Sequence, residues 1–322
     1  MMTTDHRHER RLERLHDDMV DAGVHLPRSV DQGLLLDEID YALRPRVHER
    51  RVPTYGSVIA PTTDPDTWAE GAQLGVTLRV GGTYPVDNSR MFADGRSSWL
   101  VRGNSGEVGL LVFDRPAGSE RDLTVLARVT GGVMVQRHPS GRIVVANSLG
   151  VARWDGIGWH HEPPVGRWIE SIVARGVEGD PKIIERLLEL AVHDLGARGL
   201  GATLVYRPDG DLDSNVELRL DTPPPLSIEQ PADLAPLAHV LGQVDGAAIF
   251  DAAGRLRQLG SRLVSSEAAD QDVAGLGGMR HTAGRRYSFD FPSATVIVVS
   301  EDGPVTVLRD GEMIGTSARM PS

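Results

Sequence analysis

The sequence predicts two domains. Residues 1–165 read as an α+β domain containing a β-meander, and residues 166–322 as an α/β domain whose mixed twisted sheet is flanked by helices. Three observations predict this. Between Ser97 and His161 the hydrophobic period shifts from helical spacing toward two. Pro163-Pro164-Val165-Gly166 then marks a boundary. Beyond it come helix, strand and helix, then several strands, the order of a mixed α/β sheet. The 322 residues suffice for two separate cores.

The elements follow in order. His8 to Ala22 is charged and helix-prone, with Leu12, Leu15, Met19 and Val20 at helical spacing. Glu9, Glu13, Asp17 and Asp18 dilute its arginines, which favours a packing or oligomer helix over a nucleic-acid arm. A second helix is expected from Gln32 to Leu43, stopping before Pro45. Residues 53–95 are rich in Pro, Gly, Thr and Asp and read as loops with short strands. Ser98–Val101 and Val108–Phe113 read as strands, and Ser119 to Asp122 has capping-box spacing before an apolar run that ends at Gly131-Gly132. Val133–Gln136, Arg142–Val145 and Gly150–Trp154, separated by turns, form the meander. His160-His161 are adjacent rather than four apart and do not make a helical metal pair.

After the boundary, Asp180 is an N-cap and Pro181 the first helical residue of a helix carrying Ile183, Ile184, Leu187 and Leu188. Gly196 or Gly199 ends it. Strands are expected at Ala202–Tyr206, Gly246–Phe250, Arg255–Leu259, Ala294–Val299 and Val305–Leu308.

Composition excludes several classes. With no cysteine there is neither a disulfide framework nor a thiolate metal site. A net charge of -11 argues against a broad nucleic-acid surface, and 5% aromatic residues against a base-stacking platform. No apolar run approaches the roughly 18 residues of a membrane span. The N-terminus lacks the apolar core of a secretory signal, so a cytoplasmic protein is expected.

Three clusters in the second domain carry chemistry. Asp245-Gly246-Ala247 puts a carboxylate beside two residues without bulk at a strand entry, where a ligand can approach the backbone; it also fits a turn before a hairpin. Gly275-Leu276-Gly277-Gly278-Met279-Arg280-His281-Thr282 can turn backbone N–H groups toward an anion, with Arg280 suited to phosphate and His281 to phosphate or metal; it also fits a surface loop. Ser300-Glu301-Asp302-Gly303 closes an apolar strand and equally fits a hairpin turn.

In order and spacing, these clusters resemble the diadenylate cyclase family, whose catalytic domain is shared with the DNA-integrity scanning protein. The resemblance spans roughly residues 180–312. It implies that Asp245 is a metal-associated carboxylate near an attacking 3′-hydroxyl, with Gly246 and Ala247 completing that motif. Arg280 and His281 match two positions of an Arg-His-Arg phosphate motif, and Ser300 and Glu301 a strand-end Ser-Glu. Leu259 to Leu263 falls where the family lines its adenine pocket. Catalytic roles are therefore expected for Asp245, Arg280 and His281. Nucleotide contacts are expected from Gly246, Ala247, Leu263, Gly277, Gly278, Thr282, Ser300 and Glu301. Metal ligation, by Mg²⁺ or Mn²⁺, is expected at Asp245, His281 and Glu301.

The resemblance also implies ATP as substrate, a homodimer or higher oligomer for catalysis, and a sensor or dimer-control role for residues 1–165. Neither a membrane nor a nucleic-acid partner is expected. Two departures stand out. Thr282 replaces the third motif residue, an arginine, and a lost charge-assisted hydrogen bond is worth about 1.5–3 kcal/mol, or roughly one to two decades in rate. Arg285 or Arg286 is near enough in sequence to restore the charge. Pro292-Ser293-Ala294 stands where the family has Ser-Asp-Ala. A catalytically silent nucleotide-binding sensor is the alternative reading.

Overall fold

Each half of the chain folds around its own mixed sheet, with one strand of the first sheet and two of the second buried on both faces. The computed structural model describes residues 4–47, 49, 52–64, 67–68, 76–79, 85–174, 178–210, 212, 215–218, 220–301 and 304–317. The chain divides into two compact units, Met1–Pro164 and Val165–Ser322. Asp302 and Gly303 of the third cluster, and residues 65–66, 69–75 and 80–84 of the 53–95 stretch, lie outside the described residues.

The first unit opens with α1 (Thr4–Asp21) and α2 (Gln32–Leu43). Asp31 caps α2 by accepting the Leu34 N–H. Then come β1 (Tyr55–Ala60), β2 (Val76–Arg79), α3 (Val86–Arg90), β3 (Ser98–Gly103) and β4 (Val108–Phe113). They are followed by α4 (Glu120–Thr130), β5 (Val133–Arg137), β6 (Ile143–Asn147), β7 (Gly150–Trp154) and β8 (Trp159–Glu162). The strand order is β2-β4-β3-β1-β5-β6-β7-β8, with β1 parallel to β3 and the other neighbours antiparallel. Strands β5 to β8 are the meander that the alternating pattern predicts, extended by one strand.

Both sheet faces are covered. Leu15 and Met19 of α1 and Leu35 and Ile39 of α2 pack with Tyr55, Ile59, Val135 and Val145. On the other face Leu123, Leu126 and Ala127 of α4 meet Val58, Ala60, Met134 and Val144. The expected capping box at Ser119 and Asp122 forms, and Gly131 ends α4 in the left-handed conformation. Central strand β1 escapes a pattern search because Gly56 and Ser57 interrupt its apolar run. Gly56 is there for space: a Cβ would lie 2.3 Å from Gly95 Cα and 2.5 Å from the Trp99 ring.

A charged network is sealed beneath α2. Glu38, fully buried, accepts from Tyr55 Oη, from Arg90 Nε and Nη2 and from Arg102 Nη1. Asp37 takes further bonds from Arg90 at 2.6 Å and Arg102 at 3.1 Å.

The second unit starts with α5 (Val165–Val173) and α6 (Pro181–Glu189), which runs on through a π-helical turn, Leu190–Leu195, to Gly199 in the left-handed region. Asp180 accepts the Lys182 N–H and caps α6 ahead of Pro181, as expected. Next are β9 (Ala202–Arg207), β10 (Val216–Glu217), α7 (Leu234–Leu241), β11 (Ala247–Asp251) and β12 (Leu256–Leu263). Helices α8 (Glu267–Asp272) and α9 (Met279–Asp290) precede β13 (Thr295–Val299), β14 (Val305–Arg309) and β15 (Glu312–Thr316). The order is β10-β12-β11-β9-β13-β14-β15, and only β9 and β11 run parallel.

Trp168, Ile184, Leu187, Leu188 and Leu237 of α5, α6 and α7 bury one face against Leu204, Phe250 and Ile297. The other face, Val205, Ile249, Val296 and Val298, packs against Tyr287 of α9. Helix α9 is one of the elements that the sequence reading misses, with α5, α8 and β15: its segment carries few apolar residues, and Gly284 sits within it. That glycine lets the helix lie close to the sheet, since a Cβ there would be 3.0 Å from Val296 Cγ1.

Candidate functional site

Strand register brings distant residues to one edge of the second sheet. Val298 lies opposite Thr203, Thr203 opposite Ala247, and Ala247 opposite Ser261. This row of small and β-branched residues across β13, β9, β11 and β12 floors a cavity of about 820 Å³. The site sits at the amino ends of the parallel pair, and β13, being antiparallel, delivers its carboxyl end with Val299, Ser300 and Glu301 to the same place.

Asp245 and Gly246 form one rim, just before β11. Gly246 has φ +110°, and a Cβ would stand 2.6 Å from the Gly260 carbonyl carbon, so no other residue fits without moving the backbone. The opposite rim is the start of α9, where Gly278, Met279, Arg280 and His281 line the cavity. Gly278 is the extended N-cap. The first N–H groups of a helix lack intrahelical partners and carry partial positive charge, an arrangement that receives anions.

Arg280 spans the mouth. Its Nη1 donates to Glu301 at 3.3 Å and its Nη2 to Asp245 at 3.5 Å. Gly201 makes room for it: a Cβ there would lie 2.3 Å from Arg280 Nη1. Asp245 and Glu301 are largely exposed, at 80% and 72%. His281 is half-buried, and desolvation lowers its pKa from the usual 6.5, which favours the neutral imidazole at pH 7.

Of the residues expected from the sequence, Asp245, Gly246, Ala247, Leu263, Gly278, Arg280, His281, Ser300 and Glu301 line this one cavity. Gly277 and Thr282 do not. Gly277 turns the chain at φ +58°, and the Thr282 hydroxyl accepts the Leu276 N–H at 3.1 Å, closing the glycine loop from behind. Arg285 and Arg286 do not restore the missing charge. Arg285 donates to the Gly311 and Ala274 carbonyls, and Arg286 to Asp270 and the Val273 carbonyl. A second guanidinium does reach the cavity, from Arg262 on β12, paired with Glu217 at 3.3 Å. Ser293, the other departure, donates to Asp209 away from the cavity.

Thr203 and Val298 also line the site, as do Ser261 and Arg262 from the segment expected to line the adenine pocket and Met279 from the glycine cluster. Only register could have found Thr203 and Val298. Arg262 lay within the segment expected to line a pocket, but its own role was not legible. Among the described residues no three His, Asp or Glu groups come close enough to hold a metal ion. Two exposed carboxylates beside an anion site still fit Mg²⁺ or Mn²⁺. Mg²⁺ is ordinarily held by one or two carboxylates, with substrate phosphates and water completing the shell.

The second unit is therefore an α/β domain with a cavity at a helix N-terminus, flanked by carboxylates. The matching families are more specific. Residues 189–313 match the family described as DisA bacterial checkpoint controller nucleotide-binding (DAC), and residues 13–162 match the Probable sensor domain DACNK. The two matches follow one another along the chain, the Probable sensor domain DACNK ahead of the DAC model. Two solved structures resemble part of it. One is a hypothetical membrane spanning protein from Bacillus cereus, 19% identical, covering 46% of this chain and 68% of its own, with TM-score 0.33. The other is a double mutant of DacA from Staphylococcus aureus, 20% identical, covering 42% and 87%, with TM-score 0.30. No curated protein matches the chain. No described helix is long and apolar enough to cross a membrane.

Proposed function

We propose that the chain is a cytoplasmic diadenylate cyclase that condenses two ATP into cyclic di-AMP and two pyrophosphates, under control of its N-terminal domain. The observation that carries this reading is Arg280 at the start of α9, held between Asp245 and Glu301 over a floor of small residues.

Each domain binds one ATP. The N–H groups at the start of α9 and the Arg280 guanidinium take the phosphates, and the bonds of 3.3 and 3.5 Å to the carboxylates are long enough to yield to them. Gly246 and Ala247 leave the backbone open for the ribose, and Leu263 lies against the base. Asp245 and Glu301, with the phosphates, would hold Mg²⁺ or Mn²⁺, which would supply charge neutralisation and acidify the 3′-hydroxyl. Asp245 orients that hydroxyl. The 3′-hydroxyl gives its proton to the Asp245 carboxylate and thence to solvent, its oxygen bonds to the α-phosphorus of the facing ATP, the bond to pyrophosphate breaks, and a second such transfer closes the ring. Asp245 and Glu301 stand open to solvent, so the reactive face is completed by a second domain. The active form is accordingly a homodimer or larger assembly.

Full-length protein incubated with ATP and Mn²⁺ should yield cyclic di-AMP by mass spectrometry. Asp245→Asn should retain ATP binding while product falls by about a hundredfold or more. Equal product from the variant would sink the role of Asp245. One observation favours a second reading, a silent nucleotide sensor: Thr282 replaces a guanidinium and its hydroxyl already serves the loop. Intact ATP binding without product, in the full chain and in residues 166–322, would select that reading.

A further inference from the structure

Helix α1 carries a set of charges that the cyclase reading does not use. Arg7, Arg10, Arg11 and Arg14 recur at three- and four-residue steps and so share one face of the helix. That face, with Arg44 at the end of α2, overhangs a cavity of about 620 Å³ in the first unit. Its apolar surface comes from Leu15, Leu43 and two tryptophans of the β7–β8 hairpin. Trp154 and Trp159 are cross-strand partners, their ring centroids 5.6 Å apart.

The charge in this cavity is unbalanced. Asp40 binds Arg11 at 2.7 Å and also pairs with Arg44. The side chains of Arg7, Arg10 and Arg14 have no hydrogen bond or ion pair among the described residues, and Asp18 is the one carboxylate among the lining residues described. Like charges at such spacing destabilise a helix, so their convergence over a hollow calls for an anion. The hollow falls within the roughly 300–1,000 Å³ range of small-ligand sites. Guanidinium forks suit phosphate, and indole rings suit a flat partner. An extended polyanion fits poorly. Glu9, Glu13, Asp17 and Asp21 share the same helix, and the chain carries a net charge of -11.

We propose that this cavity binds a small phosphorylated compound bearing a planar ring, a nucleotide in class. The proposal stands independently of the cyclase reading, since it concerns the first unit alone.

The test uses full-length protein carrying Arg280→Ala, which blunts the second unit's anion site, and follows tryptophan fluorescence and calorimetric heat. ATP, GTP and inorganic tripolyphosphate are the probes. ATP or GTP should quench fluorescence, and tripolyphosphate should bind about tenfold more weakly or worse, for want of a ring. Replacing Arg7, Arg10 and Arg14 together by alanine should weaken nucleotide binding by about tenfold or more. These arginines are exposed, so an unchanged circular dichroism spectrum is expected of that variant. Trp154→Phe should remove much of the quench and leave the fold intact. Undiminished binding in the triple variant, tripolyphosphate as tight as ATP, or no nucleotide response at millimolar concentration would each overturn the proposal.

Discussion

Arg90 in the first unit lies among three carboxylates and Arg280 in the second between two, yet solvent gives them opposite roles. Arg90 is 9% exposed and meets fully buried Glu38. Burial opposes its charge, but hydrogen bonding and attraction from Glu38, then Asp37, outweigh that, and its pKa is raised. Its fully buried partner, Glu38, is shared with Tyr55 and Arg102 and has no contact with solvent. Arg280 makes only two long bonds to carboxylates that face water. A paired charge that is buried specifies structure, whereas one left loosely held at a cavity mouth can change partners.

The comparison breaks most visibly at Glu38. Glu38→Ala would remove the fully buried carboxylate that Arg90 and Arg102 share and leave them only the part-exposed Asp37, and breaking such a network costs about 3–5 kcal/mol. Urea denaturation should show a loss of that size; a change under about 1 kcal/mol would mean the network is not structural. Arg280→Ala is the counterpart. Stability should move by about 0.5 kcal/mol or less, as for most exposed pairs, while ATP affinity falls by about 1.5–3 kcal/mol. Titration calorimetry beside denaturation separates the two, and a variant that loses stability but not affinity would reverse the assignment.

The smallest effect is a pH slope. Burial first, then the charge and hydrogen bond of Glu38, raise the Tyr55 pKa well above 10.0. Below pH 10 the phenol is protonated in folded and unfolded chains alike, and its contribution is fully present. Above it the unfolded chain ionises first, so stability falls by about 1.4 kcal/mol per pH unit toward the folded pKa. Tyr55→Phe should lose that slope relative to the parent between pH 10 and 11. Identical slopes in both proteins would show that Tyr55 stays neutral in neither state or in both.

Local signals in the sequence held where the chain decides its own conformation. Ser119 with Asp122, Asp180 with Pro181, and the meander of β5 to β7 all appear as their residues predict. What was illegible depends on long-range contact. β1 is a strand because its neighbours cover both faces, and its Gly56 records the approach of Trp99 rather than a turn. Helix α9 lies hidden behind Gly284 and a scarcity of apolar side chains. At the site, the charged residues were legible as an ordered set, while the floor was not. Thr203 and Val298 face one another only through the β9–β13 register, and Arg262 reaches the cavity only because β12 folds back beside β11.

That register carries a consequence for how the site comes into being. Its parts lie at Thr203, Asp245, Ser261, Arg280 and Glu301, and each is brought in by a different segment. Contacts so far apart along the chain close late, after the loops between them have lost their freedom. Intermediates lacking β13 would possess Asp245 and Arg280 but no partner for the second arm of the guanidinium. Nucleotide binding should therefore report on the completed sheet, and a bound nucleotide should slow its unravelling from the β13 side.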